Sequence, residues 1–152
     1  MPIKVKTPSA TLSTSINKEI DERIIGVIIN TLKYVGEQCV KEARDSGTYT
    51  DRTANLRSST GYVILRDGKV VSKGLDQDPN ATDEGRKAAS TLLDQLSDTD
   101  KSSGITLIVV AGMKYAYYVE KIHNRVVLSS AELLADQLVP QLLTQLGFIV
   151  KK

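Results

Sequence analysis

One histidine, one cysteine, one phenylalanine and no tryptophan are found in this 152-residue chain. With His123 alone, no second imidazole exists for a metal site or a proton relay. Glu120 lies three residues away, and two ligands without a third do not hold zinc. Cys39 has no partner for an intrachain disulfide, and a reducing compartment is the simpler expectation. No apolar run nears the roughly 20 residues of a membrane span. The opening Met-Pro-Ile-Lys-Val-Lys lacks the apolar stretch of a signal peptide, so a cytosolic product is expected. Gly61, Gly68 and Gly74 are spaced for turns, and neither Gly-Lys-Ser nor Gly-x-Gly-x-x-Gly occurs. No Gly-x-Ser-x-Gly elbow accompanies the serines. Cys39 falls on an apolar helical stripe, where a buried, inert thiol is expected. His123 sits in a polar turn and reads as a surface residue. These absences predict no enzyme, and no catalytic, metal or cofactor-binding residue is assigned.

What is there suits a globular chain: 41% hydrophobic and 25% charged residues. With aromatics at 5%, isoleucine, valine and leucine must build most of the core. A chain of this length buries roughly 68–70% of its unfolded surface without staples. Net charge is +2 but unevenly spread. Residues 1–74 carry 12 basic and 8 acidic side chains, residues 75–103 carry 3 and 7, and the remainder 5 and 3. A basic body with an acidic middle suits contact between unlike surfaces of neighbouring copies; a solvated acidic loop explains it equally well.

Residues 1–14, rich in Pro, Ser and Thr, read as a flexible, extended arm, with a single domain over 15–152. From Ile16 the apolar residues recur at helical spacing: Ile20, Ile24, Ile28, Leu32, Val35, Cys39, closing near Ala43. Ser15 or Asn17 can cap this helix and Gly47 can stop it. Some thirty residues span about 45 Å, whereas a domain of this size is about 40 Å across, so the helix overhangs, bends or packs on another subunit. Gly26 and Gly36 mark either a bend or the close approach of a second backbone.

Gly61–Arg66 and Lys69–Lys73 flank Asp67-Gly68, a strong hairpin signal. A short helix follows, with Ala89, Leu92, Leu93 and Leu96 on one stripe. Gly104–Ala111 is the strongest strand, apolar on both faces and so expected to be central. Lys114–Ile122 is ambiguous, its Tyr and Val content favouring a strand. Ser129-Ser130-Ala131-Glu132 has capping-box spacing ahead of Leu134, Leu138, Leu142 and Leu146, with Pro140 expected to kink the helix and Gly147 to end it. The predicted fold is α+β: a long N-terminal helix, a small mainly antiparallel sheet with a hairpin, a short middle helix and a C-terminal helix packed on one face.

Arg52, Arg57, Arg66, Lys69 and Lys73 interleave with Tyr49 and Tyr62, a composition that can contact phosphate and stack on bases. No helix-turn-helix, zinc-finger or ribonucleoprotein motif accompanies them. Edge charges that discourage strand aggregation explain most of the cluster. A small nonspecific nucleic-acid-binding module is therefore the alternative reading, with nucleic acid not favoured as a partner.

Two stretches carry the rest. Thr53-Ala54-Asn55-Leu56-Arg57-Ser58-Ser59, leading into a hairpin, is followed some fifty residues later by Tyr115-Ala116-Tyr117-Tyr118-Val119-Glu120. In this order, over residues 16 to about 146, they resemble the neck, head–tail joining or tail-completion (minor tail component) family of tailed bacteriophages. Thr53, Asn55, Leu56, Arg57 and Ser59 match the first box, with Ala54 in place of the usual glycine. Tyr115, Ala116, Tyr118, Val119 and Glu120 match the second, after which Lys121-Ile122-His123 replaces an aromatic-Gly-Thr turn. The resemblance implies a non-enzymatic virion structural protein that self-associates, as a ring if at all, and docks to portal, connector or tail-tube proteins. It implies a place in the host bacterial cytoplasm during assembly and then in the virion. Candidate structural or interface contacts are Arg52, Asn55, Leu56, Arg57, Tyr115, Tyr118 and Glu120. Leu56 suits a core plug, and Arg57 suits a carboxylate such as Glu120, within or between subunits.

Overall fold

The computed structural model describes residues 9–48, 53–125 and 127–148, apart from the side chains of 9–16 and of Tyr118. In chain order the elements are α1 (Ser9–Asp45), α2 (Asn55–Ser58), β1 (Thr60–Arg66), β2 (Lys69–Leu75), α3 (Asp83–Thr99), β3 (Ile105–Ala111), a π-helical turn (Tyr118–Ile122) and α4 (Ser129–Gln145). The α+β architecture is thus as expected: a long N-terminal helix, an antiparallel three-stranded sheet, a middle helix and a C-terminal helix.

Strand order is β2-β1-β3. Asp67 and Gly68 both take left-handed φ, 52° and 80°, as a two-residue hairpin turn requires. The turn is tied to the start of β3, where Asp67 N–H donates to the Gly104 carbonyl and Gly104 N–H to Asp67 Oδ1, each at 2.8 Å. Side chains alternate across β1 with the period of two that a strand imposes. Tyr62 and Ile64 face α1, while Val63 and Leu65 face α3.

That alternation corrects two expectations. The helices lie on both faces of the sheet: α1 and α4 on one, α3 with Ala89 and Leu93 on the other. And β1, not β3, is the central strand. β3 is apolar on both sides because two helical layers cover it. Leu107 and Val109 meet the α1–α4 layer, whereas Ile108 and Val110 meet α3. Cover above and below writes the same continuous apolar run as a central position does.

α1 begins earlier than expected. Ser9–Thr14 is helical, so the arm reading fails for those residues. Serine and threonine disfavour a helix interior only by tenths of a kcal/mol, about the scale of ordinary propensity differences, and the run includes Ala10 and Leu12. At 37 residues α1 extends about 55 Å. Its C-terminal half is fixed: Leu32, Val35, Cys39, Val40 and Ala43 are buried. A Cβ on Gly36 would lie 2.6 Å from the Tyr62 ring, and one on Gly74 2.2 Å from it. Tyr62 is therefore clamped between helix and hairpin, the close approach that Gly36 permits. Gly26 has nothing within 4 Å.

Candidate functional site

The first box is a joint between helices. Ala54 adopts φ 61°, the left-handed region that favours glycine, and turns the chain into α2. From α2, Arg57 donates through Nη1 to the Arg44 carbonyl (2.5 Å) and through Nη2 to the Gly47 carbonyl (3.1 Å), satisfying acceptors left open at the end of α1. Asn55 Oδ1 accepts from Thr82 Oγ1 (2.6 Å), which itself caps α3 by accepting from Gly85 N–H (3.1 Å). Ser58 Oγ accepts from Thr82 N–H (2.9 Å). A Cβ on Gly85 would meet Ser58 Cβ at 2.5 Å, so α2 and α3 touch backbone to backbone. Leu56 points the other way, buried with Ala116 and Val127.

The second box completes that cluster and caps a third helix. Ala116 and Val119 pack against Leu56, so the two boxes, distant in sequence, are halves of one joint. Glu120 Oε1 accepts from the backbone N–H groups of Val127 (3.3 Å), Leu128 (3.0 Å) and Ser129 (2.8 Å) at the start of α4. Burial pushes its carboxyl upward, but the amides and the Ser129 hydroxyl outweigh this and hold it below the usual glutamate range. This replaces the expected capping box: position Leu128 caps without a side chain, and the anionic cap comes from Glu120 upstream. A negative charge there also complements the helix dipole.

Of the other candidates, Tyr115 is exposed and Tyr118 opens the π-helical turn. Arg52 lies outside the described residues, as does Tyr49. Arg57 was expected opposite a carboxylate; the partners described here are main-chain carbonyls, and Glu120 bonds to amides. The basic cluster also turns inward. Arg66 forms a two-pronged pair with Glu22 of α1 (2.9 and 3.1 Å), and Lys73 contacts Asp94 and Ser90 (2.7 Å each). Tyr62 is buried, where no base can stack on it.

One constellation escaped sequence reading. Arg44 Nη1 bonds Asp76 Oδ2 and its Nε reaches Asp78 Oδ2 at 3.1 Å. Arg86 donates to the carbonyls of the same loop, Nε to Asp76 (2.9 Å) and Nη2 to Asp78 (3.0 Å). Asp76 Oδ1 and Asp78 Oδ1 accept from the N–H groups two residues on, and the Asn80 amide chiefly, with Arg44, holds the Asp78 carboxyl low. Alternation of Asp76, Asp78 and Asn80 is the signal that could have exposed these chained side-chain turns.

Cys39 is fully buried; its Sγ donates to the Ala131 carbonyl at 3.5 Å, and burial, then Glu42, pushes its thiol up. His123 is exposed. Among the described residues no group of three or more His, Cys, Asp or Glu is placed to hold a metal ion, and no helix is long and apolar enough to cross a membrane. What the joint can do is mechanical: it fixes the ends of α1, α3 and α4 together.

Among the described residues, two uncovered surfaces bear on assembly. On α1, Ile20 (49% exposed), Ile24 (39%) and Val27 (42%) form an apolar stripe. It runs into a groove of about 370 Å³ in which Val27, Tyr34, Leu142 and Leu146 are joined by the polar Asn30, Thr31 and Gln145. β3 is an edge strand with no charged residue, while the opposite edge, β2, carries Lys69 and Lys73 and a register shift opposite Ile64/Leu65. Beside β3 a groove of about 770 Å³ runs between α3 and residues 111–117, with Leu92, Met113, Tyr115 and Tyr117 on its walls. Compared with protein-family models, curated proteins and solved structures, the chain finds no match.

Proposed function

We propose that this chain is a non-enzymatic structural protein of a tailed bacteriophage or prophage, acting at the head–tail junction or tail end. It works by self-association and by docking to portal, connector or tail-tube proteins. Support comes first from the two boxes that carry the resemblance: they meet in one apolar cluster around Leu56, Ala116 and Val127. The observation that carries the reading is the N-terminal part of α1, where Ile20, Ile24 and Val27 face solvent in the isolated chain. Exposed apolar stripes of this kind mark surfaces that await a partner. The uncharged β3 edge is a second such surface, since unprotected edges invite strand addition. A head-to-tail contact through such an edge closes into a ring when its rotation divides the circle.

The test is co-expression with portal and tail-tube proteins of a phage genome that encodes this chain, followed by mass measurement of purified material. A stable complex of defined stoichiometry is expected. Failure to bind any of these proteins, with steeply salt-dependent DNA binding instead, moves the assignment to the nucleic-acid alternative.

A further inference from the structure

We infer that the open stripe of α1 is a self-pairing seam, taking the α1 of a second copy in antiparallel orientation. The inference rests on the self-association part of the proposed function and not on its virion assignment. Ile20, Ile24, Val27, Thr31 and Tyr34 are spaced 4, 3, 4 and 3 residues apart, the 3.5-residue period of a two-helix seam. They occupy a face beside the buried one of Leu32, Val35, Cys39 and Ala43, reaching α4 only at the open groove that Thr31 and Tyr34 share with Leu142 and Leu146. The seam therefore duplicates nothing the fold already uses.

Orientation follows from the shape of the subunit. In the N-terminal half of α1 Glu22 is held by Arg66 but the Ile20–Ile24–Val27 stripe is uncovered, while Thr31 and Tyr34 stand beside the α4 residues Leu142 and Leu146 in the open groove. Only an antiparallel pair lays each free half on the other subunit's groove, so that both apolar surfaces are covered at once. Such a contact is two-fold and self-complementary, the commonest kind in homo-oligomers. With Val27 set against Thr31 of the partner subunit, Ile24 meets the partner's Tyr34. Arg23 then comes alongside the partner's Glu37, an opposite charge, and symmetry repeats the pair. Both side chains reach the surface: Arg23 bonds its own Glu19 at 2.8 Å, and Glu37, exposed, accepts from the Tyr62 hydroxyl at 3.4 Å with its second carboxylate oxygen left for a partner's cation. Paired this way, the α1 seam leaves the β3 edge available for a different contact.

Sedimentation equilibrium of the full chain from low to high micromolar concentration tests this, with circular dichroism as the control for folding. Monomer and dimer in concentration-dependent exchange are expected. Ile24→Glu and Val27→Glu, each at an exposed position, should give a monomer with an unchanged spectrum. Arg23→Glu should weaken the dimer roughly fivefold, and Arg23→Glu with Glu37→Arg should restore it. A wild-type chain that stays monomeric throughout overturns the seam; if that monomer still binds portal, the proposed function survives alone. An oligomer that persists unchanged in Ile24→Glu and Val27→Glu also overturns the seam, and locates self-association at another surface such as β3.

Discussion

The two halves of α1 carry apolar residues at similar spacing and meet opposite fates. From Leu32 onward, isoleucine-sized and smaller side chains recur at helical spacing and are buried against the sheet and α4. From Ile20 to Val27 the same spacing continues, yet the side chains face solvent. Amphipathic periodicity reports that a helix has an apolar face. It does not report whether the cover for that face belongs to the same chain.

A pair of aspartates breaks this comparison most sharply. Val35→Asp puts an unpaired carboxylate into a fully buried position and is expected to cost at least about 3 kcal/mol. Ile24→Asp should leave the urea midpoint of the dilute, monomeric chain within about 0.5 kcal/mol of wild type. Equal losses at both sites would show that the free half packs on its own subunit. Next come the two helix glycines. Gly36→Ala drives a methyl into the Tyr62 ring, which Gly74 prevents from retreating, and should lose about 1–3 kcal/mol in thermal denaturation. Gly26→Ala meets open space and should gain about 0.5–1 kcal/mol from helix propensity alone.

The fixed half depends on α4, and α4 on Glu120. Glu120→Ala should cost about 0.5–2 kcal/mol, the usual worth of a helix cap. The folded carboxyl lies below its unfolded value, so this contribution is complete above the unfolded range and is lost as pH falls through the folded one. An acid titration of stability should accordingly be shallower in Glu120→Gln than in wild type. The smallest effect sharpens the free half. Arg66 holds Glu22 on the overhang, and Arg66→Ala should raise backbone mobility over residues 17–27 in nuclear relaxation while leaving the unfolding midpoint nearly unchanged.

Local signals were legible and distant ones were not. The stripe of α1, the Asp67-Gly68 turn and the Ala89–Leu93 face of α3 all follow from spacing within one element. The order of the strands did not, because Gly104–Ala111 reads alike whether neighbours or helices cover it. Leu56 was recognisable as a core plug, while the left-handed turn at Ala54 was not, since alanine carries no signal for it. Two acceptors of Arg57 were not foreseeable, since they are carbonyls at and just beyond the end of α1, at residues 44 and 47. Nor was the α4 cap, which a side chain nine residues before Ser129 supplies across the π-helical turn in place of the local Ser129–Glu132 spacing. The Arg44–Asp76 bond joins residues 32 apart, beyond any local pattern.

Amide hydrogen exchange at two protein concentrations tests most directly whether the free half of α1 is a contact surface. Protection over residues 17–30 should rise with concentration, while that of the β1 core, buried within one subunit, stays constant. Protection over residues 17–30 that is the same at both concentrations, in a chain whose mass also does not change, would contradict the account.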